Sequence, residues 1–164
     1  MKISYAILTH NEGEEIDRLL NFLVSNKRKE DEIVIVDDNS TDDKTIEVLE
    51  KFRSEIVLKT RNFDGDATQK NFLNSHCTGD YILQLDADEI MTADFIKMLP
   101  EILKTNETVD LFFVPRINTV EGLTQDHIDK WKWNVNDKGW VNFPDWQMRL
   151  YRNCEWVKWE GLLH

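Results

Sequence analysis

Two aspartates two positions apart, Asp86 and Asp88, directly follow the apolar run 81–85. Carboxylate oxygens are preferred ligands of hard divalent cations, and Mg²⁺ sites of this kind keep open positions for substrate phosphates. Residues i and i+2 at a strand end project toward one side, so both carboxylates could bind one cation. A solvated loop produces the same short pattern by chance, so the pattern needs support from its position in the fold.

Two more polar clusters follow apolar runs. The segment 10–12 (His-Asn-Glu) comes after the run 3–8, and the segment 37–39 (Asp-Asp-Asn) comes after the run 32–36. The second cluster has a plainer interpretation as a turn with helix caps, which Asp, Asn, Ser and Thr favour. Two adjacent aspartates at the end of a buried strand are more charge than a turn requires. Carboxylates gathered this closely stay ionised only with help from a cation or from hydrogen bonds.

Strand and helix patterns alternate through the first two thirds of the chain. Residues 16, 19, 20 and 23 share one apolar helix face. Thr92 is a candidate cap for a later helix, whose buried face would contain residues 95, 96, 99 and 103. The alternation predicts an α/β fold with a mostly parallel sheet covered on both sides. Ligands bind outside the carboxyl ends of the strands in such sheets, so the three polar clusters should face one crevice. The predicted strands are 3–8, 32–36, 56–58, 81–85 and 111–114, the last one stopped by Pro115.

The segment 117–164 has a different character and contains all six tryptophans. We interpret it as loops and short strands laid over one edge of the sheet, with a short helix near 125–131. Trp146, Trp156 and Trp159 lie in alternating stretches and are predicted to be core residues. The three tryptophans between 131 and 140 lie in a polar segment and are predicted to be exposed. Flat indole faces suit sugar rings, although packing beneath a loop explains these side chains nearly as well.

Composition limits the binding partners and the cellular setting that we expect for this protein. The net charge of −11 disfavours nucleic acid, because an acidic surface repels phosphate backbones. The two cysteines, Cys77 and Cys154, lack metal-type spacing and are predicted to be reduced thiols. No secretion signal or transmembrane segment is recognisable, which predicts a cytoplasmic protein. Arg61 and Lys70 offer positive charge for a diphosphate, although either could be a solvated surface charge.

Four motifs, taken in order, resemble those of the family 2 glycosyltransferases, which have the Rossmann-like GT-A fold. Within the family, the resemblance is strongest to bacterial lipopolysaccharide-core transferases, whose C-terminal signature is also similar to 161–164 (GLLH). The motifs are 7–12 (ILTHNE), 33–42 (IVIVDDNSTD), 69–71 (QKN) with 79–89 (GDYILQLDADE), and 143–152 (FPDWQMRLYR).

The resemblance implies roles for individual residues on the donor side. Asn11, Glu12, Asp37 and Asp38 would line the nucleoside pocket, and Lys70 would lie near the base or the phosphates.

The resemblance also implies a metal site and a catalytic base. Asp86 would contact ribose or metal-bound water, Asp88 would ligate Mn²⁺ or Mg²⁺, and His164 would complete the metal site. Asp145 would be the catalytic base, with Arg149 as a partner for phosphate or for Asp145.

Two features depart from the family pattern. Asn39 stands where many members have glycine, and asparagine tolerates the left-handed backbone that such a turn needs. Relatives continue beyond the position of His164 with an acidic residue and further helices, so the chain would be a minimal or a shortened form.

The implied activity is inverting transfer of a sugar from a nucleoside-diphosphate sugar, foremost a UDP-linked one. The acceptor would be a hydroxyl of a glycan or lipopolysaccharide-type molecule. The protein itself could contact a membrane peripherally. One domain spans 1–164, with a nucleotide-sugar-binding part over 1–116 and an acceptor and catalytic part over 117–164. A metal-dependent nucleotidyltransferase is one alternative, although 9–15 lacks the Gly-rich basic loop usual in that class. A non-catalytic sugar-nucleotide-binding module is another.

Overall fold

The computed structural model describes residues 1–161, which form one mixed sheet with helices on both faces. The strands are β1 (Ile3–Thr9), β2 (Glu32–Asp37), β3 (Val57–Thr60), β4 (Tyr81–Asp86), β5 (Leu111–Asn118) and β6 (Val141–Arg152). The helices are α1 (Gly13–Asn26), α2 (Asp43–Lys51), α3 (Asp66–Asn74), α4 (Ala93–Thr105) and α5 (Gln125–Trp131).

Within residues 1–161 the sheet has the strand order β3-β2-β1-β4-β6-β5. The first four strands in this order pair in parallel, whereas β6 is antiparallel to both of its neighbours. The predicted α/β architecture with a mostly parallel sheet is therefore confirmed. The inner strand β2 is buried from Ile33 to Asp37, as expected for a strand that is covered on both faces.

The helices divide between the two faces of the sheet. α1, α2 and α4 pack on one face in the larger apolar core, and α3 packs on the other face through Phe72 and Leu73. The predicted apolar face of α1 is fully buried, and the Thr92 hydroxyl accepts the N–H of Phe95 as the predicted cap of α4. Periodicity therefore predicted these helices correctly, because each one has a single apolar face to bury.

The interpretation of 117–164 as loops and short strands over one edge is wrong for its second half. β6 is twelve residues long and is inserted inside the sheet, between β4 and β5. The predicted end of the fifth strand at Pro115 is also wrong, since β5 continues to Asn118. Proline is tolerated there because β5 is an edge strand of the described sheet, where a missing N–H need not break a ladder.

The tryptophans follow the prediction only in part. Trp146 and Trp156 were expected in the core but are 57% and 73% exposed. Trp146 lies opposite Pro115 on the β5–β6 ribbon, near the outer edge of the described sheet. Trp159 packs against the smaller core as predicted. Trp131 is exposed as predicted, whereas the other two tryptophans in that segment are half-buried.

The remaining expectations concern the two cysteines and membrane-spanning helices. Cys77 and Cys154 are both free thiols, as predicted. No helix within residues 1–161 is long and apolar enough to span a membrane.

Truncating the α1 core face should destabilise the fold. Leu20 is fully buried, so Leu20→Ala is expected to lower the free energy of unfolding by about 2–5 kcal/mol through lost burial and a residual cavity. Met98→Ala, an apolar truncation at an exposed position of α4, should change it by less than about 0.5 kcal/mol. Urea denaturation of both variants and the wild type tests this expectation, and equal losses for both would contradict it.

Candidate functional site

Three adjacent parallel strands bring the polar clusters to one edge of the sheet. Thr9, the last residue of β1, is in register with Asp37 at the end of β2. Leu8 of β1 is in register with Asp86 at the end of β4. The segments that follow β1, β2 and β4 therefore begin at the same level, at the carboxyl edge where open α/β sheets bind ligands.

Asn11 joins the first two of these segments. Its backbone N–H donates to the Ser40 hydroxyl at 2.9 Å, and its Oδ1 accepts the N–H groups of Thr41 and Asp42 at 2.7 and 3.1 Å. Its φ of 54° lies in the left-handed region. Asn39 has a φ of 50°, so asparagine does adopt the left-handed turn expected at the position where glycine is common.

The carboxylates of the first two clusters are held by nearby donors. Asp37 accepts the Ser40 hydroxyl at 2.5 Å and the Ser40 N–H at 3.1 Å. Asp38 accepts the N–H of Phe63 at 2.6 Å, and Glu12 accepts the N–H of His10 at 3.3 Å. These hydrogen bonds fix the orientations of the three carboxylates at the edge of the sheet.

The Asp86–Asp88 pair is arranged differently from the predicted strand-end pair. β4 ends at Asp86, and Asp88 lies in a turn that the Glu89 N–H closes on the Asp86 carbonyl at 3.0 Å. Strand alternation therefore does not determine the direction of the Asp88 side chain. The Asp88 side chain is exposed, and its backbone carbonyl accepts Arg18 Nη2 at 3.0 Å.

A chain of alternating charges runs from Asp86 to Asp145. Arg149 Nη2 donates to Asp86 Oδ2 at 2.6 Å and also contacts Glu89 Oε1. Arg116 contacts the same Glu89 oxygen through Nη1 at 3.4 Å and Asp145 Oδ2 through Nη2 at 2.8 Å. The order Asp86–Arg149–Glu89–Arg116–Asp145, which we call the charge chain, connects the end of β4 to the middle of β6.

Asp145 is held by three side chains from the β5–β6 ribbon. Asn118 Nδ2 and Arg116 Nε donate to Oδ2 at 3.0 and 2.9 Å, and Gln147 Nε2 donates to Oδ1 at 2.7 Å. These donors, Asn118 foremost, hold the pKa of Asp145 below its usual range. Arg116 and Asp145 are paired directly across β5 and β6, which brings them together.

Sequence reasoning missed two members of the charge chain. Arg149 was expected beside phosphate or Asp145, whereas in the structure it pairs with Asp86 and Glu89, and Arg116 pairs with Asp145. Arg116 could be recognised as a partner of Asp145 only once the pairing of β5 with β6 was known. Glu89 could have been predicted from the sequence as a site residue, since it directly follows the Asp-Ala-Asp pattern.

Lys70 lies on α3 beside the C-terminal segment. Its Nζ is 4.2 Å from the centre of the Trp159 ring, and Asn71 anchors the Trp159 backbone through two hydrogen bonds. Burial lowers the pKa of Lys70, and the nearby Asp86 carboxylate opposes this shift. Arg61 pairs with Asp64 at 2.5 Å.

Part of the predicted metal site lies beyond the described residues. His164 is outside residues 1–161, so its predicted role stays a prediction. Within that range no three His, Cys, Asp or Glu side chains converge on a common point that suits a metal ion. Asp86 and Asp88 could still supply two carboxylates of a site that is completed by substrate phosphates and water.

The effect of these donors on the pKa of Asp145 should be measurable. Asn118→Ala removes the donor that lowers the pKa of Asp145 most, so this pKa should rise, and carboxyl NMR titration can follow it. A folded-state pKa below the unfolded value contributes stability above the unfolded pKa, which is lost as pH falls through the folded pKa. The variant should therefore be less stable than wild type near neutral pH, with the difference shrinking at acid pH. Asn106→Ala, at the exposed end of α4, should leave the titration unchanged.

Known proteins share this fold and parts of this sequence. An uncharacterized glycosyltransferase of Rickettsia conorii is 39% identical over 93 residues, which cover 57% of this chain and 31% of the relative. The poly(ribitol-phosphate) beta-N-acetylglucosaminyltransferase TarS of Staphylococcus aureus is 32% identical over 103 residues, covering 59% of this chain and 18% of the relative. The chain thus spans about a third or less of the length of these curated relatives.

Solved structures of glycosyltransferases are also similar to this chain in three dimensions. S. aureus TarS 1–349 in complex with UDP superposes with a TM-score of 0.62 at 27% identity, over 76% of this chain and 38% of that one. The mannosyltransferase PcManGT of Pyrobaculum calidifontis, in complex with GDP-Man and Mn²⁺, has a TM-score of 0.57 at 24% identity, over 70% of this chain and 35% of that one. The second likeness supports the fold alone.

The sequence profile described as Glycosyl transferase family 2 matches residues 4–156. The match contains the carboxyl ends of β1, β2 and β4, where the polar clusters lie, and the structural neighbours have the GT-A fold. The chain belongs to glycosyl transferase family 2.

Proposed function

We propose that this chain is the donor-binding and catalytic part of an inverting glycosyltransferase that uses a UDP-linked sugar. The charge chain is the observation that carries the proposal. It connects Asp86, at the ligand-binding edge of the sheet, to Asp145 through alternating arginines and carboxylates. TarS, which is similar to this chain, has been crystallised with UDP and with UDP-GlcNAc.

The donor would bind across the carboxyl edge of β2, β1 and β4. In this proposal the pocket for the nucleoside is lined by Asn11, Glu12, Asp37 and Asp38, where carboxylates can accept hydrogen bonds from base and ribose. Asn11 would contribute mainly by fixing the shape of the pocket, because its side chain already connects the loops after β1 and β2. Lys70 lies close enough to Asp86 for the two charges to interact, which suits a position near the diphosphate.

A divalent cation, Mn²⁺ or Mg²⁺, fits the carboxyl end of β4. We propose that Asp88 and Asp86 would hold it together with donor phosphates, and that His164 would complete its ligands. The exposed Asp88 side chain suits this role, because among residues 1–161 no cation pairs with its carboxylate. When bound, the cation would stabilise negative charge on the leaving diphosphate.

Asp145 is the proposed catalytic base. It would take the proton of the acceptor hydroxyl as the acceptor oxygen bonds to the anomeric carbon. The bond from this carbon to the diphosphate oxygen breaks, and its electron pair leaves with UDP. Attack opposite the leaving group inverts the anomeric configuration. An aspartate is ionised at neutral pH, as a base must be before it accepts a proton, and the donors around Asp145 lower its pKa further.

The proposed acceptor is a hydroxyl of a glycan or of a lipopolysaccharide-type molecule. The resemblance of 143–152 to lipopolysaccharide-core transferases supports this choice. The half-exposed indole of Trp131 packs against His127 and Trp133, and aromatic groups of this kind can contact sugar rings.

Nucleotide binding should be selective and dependent on the cation. Calorimetric titration with UDP, GDP, CDP and ATP, with and without Mn²⁺, should give cation-dependent binding of one diphosphate, foremost UDP. Asp88→Ala should weaken that binding by about tenfold or more, since the cation loses a charged ligand. Asp94→Asn, an exposed carboxylate on α4, is the matched control and should bind as wild type does.

The other outcomes of this titration distinguish the alternatives. Binding of ATP alone would favour a nucleotidyltransferase. Binding of UDP by a protein that neither transfers nor hydrolyses the sugar would favour a non-catalytic module. Binding that is equal with and without Mn²⁺ would overturn the proposed cation site.

Loss of the base should separate binding from turnover. Asp145→Asn is expected to lower the rate of UDP release from UDP-GlcNAc by about 10²–10⁴-fold, the range typical of a lost general base. The dissociation constant for UDP should stay near that of wild type, because Asp145 lies on β6, away from the proposed nucleoside pocket. A variant that turns over normally would remove Asp145 from this role.

A further inference from the structure

Glu89 lies at the centre of the charge chain. Its Oε1 contacts both Arg149 Nη2 and Arg116 Nη1, the latter at 3.4 Å. Its Oε2 accepts the backbone N–H of Asp86 at 3.2 Å, and the side chain is 18% exposed. Among the residues that the structure describes, Glu89 is the carboxylate that both arginines share.

Glu89 is held rigidly against the end of β4. Its own N–H donates to the Asp86 carbonyl at 3.0 Å, while its carboxylate accepts the Asp86 N–H. Two reciprocal hydrogen bonds therefore fix the turn 86–89. A side chain fixed in this way can position flexible arginines, because its own place does not depend on them.

The two arginines come from different strands and need a common anchor. The β5–β6 register changes from Phe112 opposite Leu150 to Phe113 opposite Met148, so Arg149 is the extra residue of a bulge. Bulges redirect side chains, and here the Arg149 guanidinium reaches Asp86 and Glu89 with only 12% of the side chain exposed. Arg116 comes from β5, and a second irregularity follows it, between Arg116 and Asn118.

Charge explains why the anchor must be anionic. Two guanidinium groups that reach the same oxygen repel each other, and a negative charge on that oxygen attracts both and offsets the repulsion. Arg149 also lies in a partly buried place, where such repulsion is less screened than at the surface. A neutral side chain of the same size would let the two arginines move apart, each toward its other partner, Asp86 or Asp145.

We propose that Glu89 is a positioning residue that holds Arg149 on the donor side and Arg116 on the acceptor side of the site. In this way Glu89 sets the spacing between the bound donor and Asp145. The proposal rests on the proposed function, because it takes Asp145 as the base and the end of β4 as the donor site. Glu89 itself acts through the arginines and does not touch the reacting atoms.

Glu89→Gln tests this proposal, since glutamine keeps the size of the side chain and removes its charge. The rate of UDP release from UDP-GlcNAc at saturation should fall by about 10–100-fold, because a misplacement near 1 Å at a reacting group has effects of this order. The dissociation constant for UDP with Mn²⁺ should change by less than about threefold, since no nucleoside contact is altered. Asp94→Asn is again the control, and it should match wild type in both measurements.

A second variant separates positioning from a merely structural role. If Glu89 acts on Asp145 through Arg116, then Glu89→Gln should cost much less in an Arg116→Met background than in wild type. A structural role would give the same factor in both backgrounds, together with a lowered melting temperature. Equal factors would overturn the proposal, as would normal turnover of Glu89→Gln.

The failures of the two proposals can be told apart. Release that Asp145→Asn abolishes and Glu89→Gln leaves unchanged would overturn the role of Glu89 alone. Absence of release by wild type from both UDP-GlcNAc and GDP-mannose would overturn the proposed function, and the role of Glu89 with it. Normal release by Asp145→Asn would overturn the assignment of the base, and with it the spacing that Glu89 is proposed to set.

Discussion

The insertion of β6 between β4 and β5 is the constraint on which the candidate site depends. β6 pairs antiparallel with β4 through Leu83 and Leu150 and with β5 along most of its length. Because it runs opposite to β4, the residues that precede Leu150 lie beside the carboxyl end of β4. Arg149 thereby reaches Asp86, and Asp145 lies four residues before Arg149 on the same strand. A strand order that placed β6 outside β5 would separate these groups.

Alternating charge stabilises this arrangement. Asp86, Glu89 and Asp145 would repel one another if left alone, and Arg149 and Arg116 lie between them. Burial would lower the pKa of Arg149, but Asp86 and Glu89 outweigh this effect and raise it. The chain has a net charge of −11, and two of its seven arginines lie among the carboxylates of this network. Such a network is rigid only while every member keeps its partner.

The other half of the edge is shaped by backbone geometry more than by ion pairs. Asn11 and Asn39 both have left-handed backbone conformations, and the Asn11 side chain connects the loops after β1 and β2. The carboxylates of Asp37 and Asp38 accept hydrogen bonds from nearby donors in the same region. This half of the edge is therefore built from contacts between loops, whereas the Asp145 side is built from contacts across strands.

This difference explains what could be predicted from the sequence. The parallel strands, the α1 face, the cap at Thr92 and the clusters after β1, β2 and β4 follow from local periodicity and from the rule that parallel strands end at one edge. The four motifs in their order, including those around Asp37 and Asp86, also identified the family. By itself, the sequence determined the α/β class and the edge at which the polar clusters meet, because these follow from the order of strands and helices along the chain. Only the tertiary structure placed β6 inside the sheet, exposed Trp146 and paired Arg116 with Asp145. Strand order and cross-strand register depend on contacts between distant residues, which local patterns do not encode.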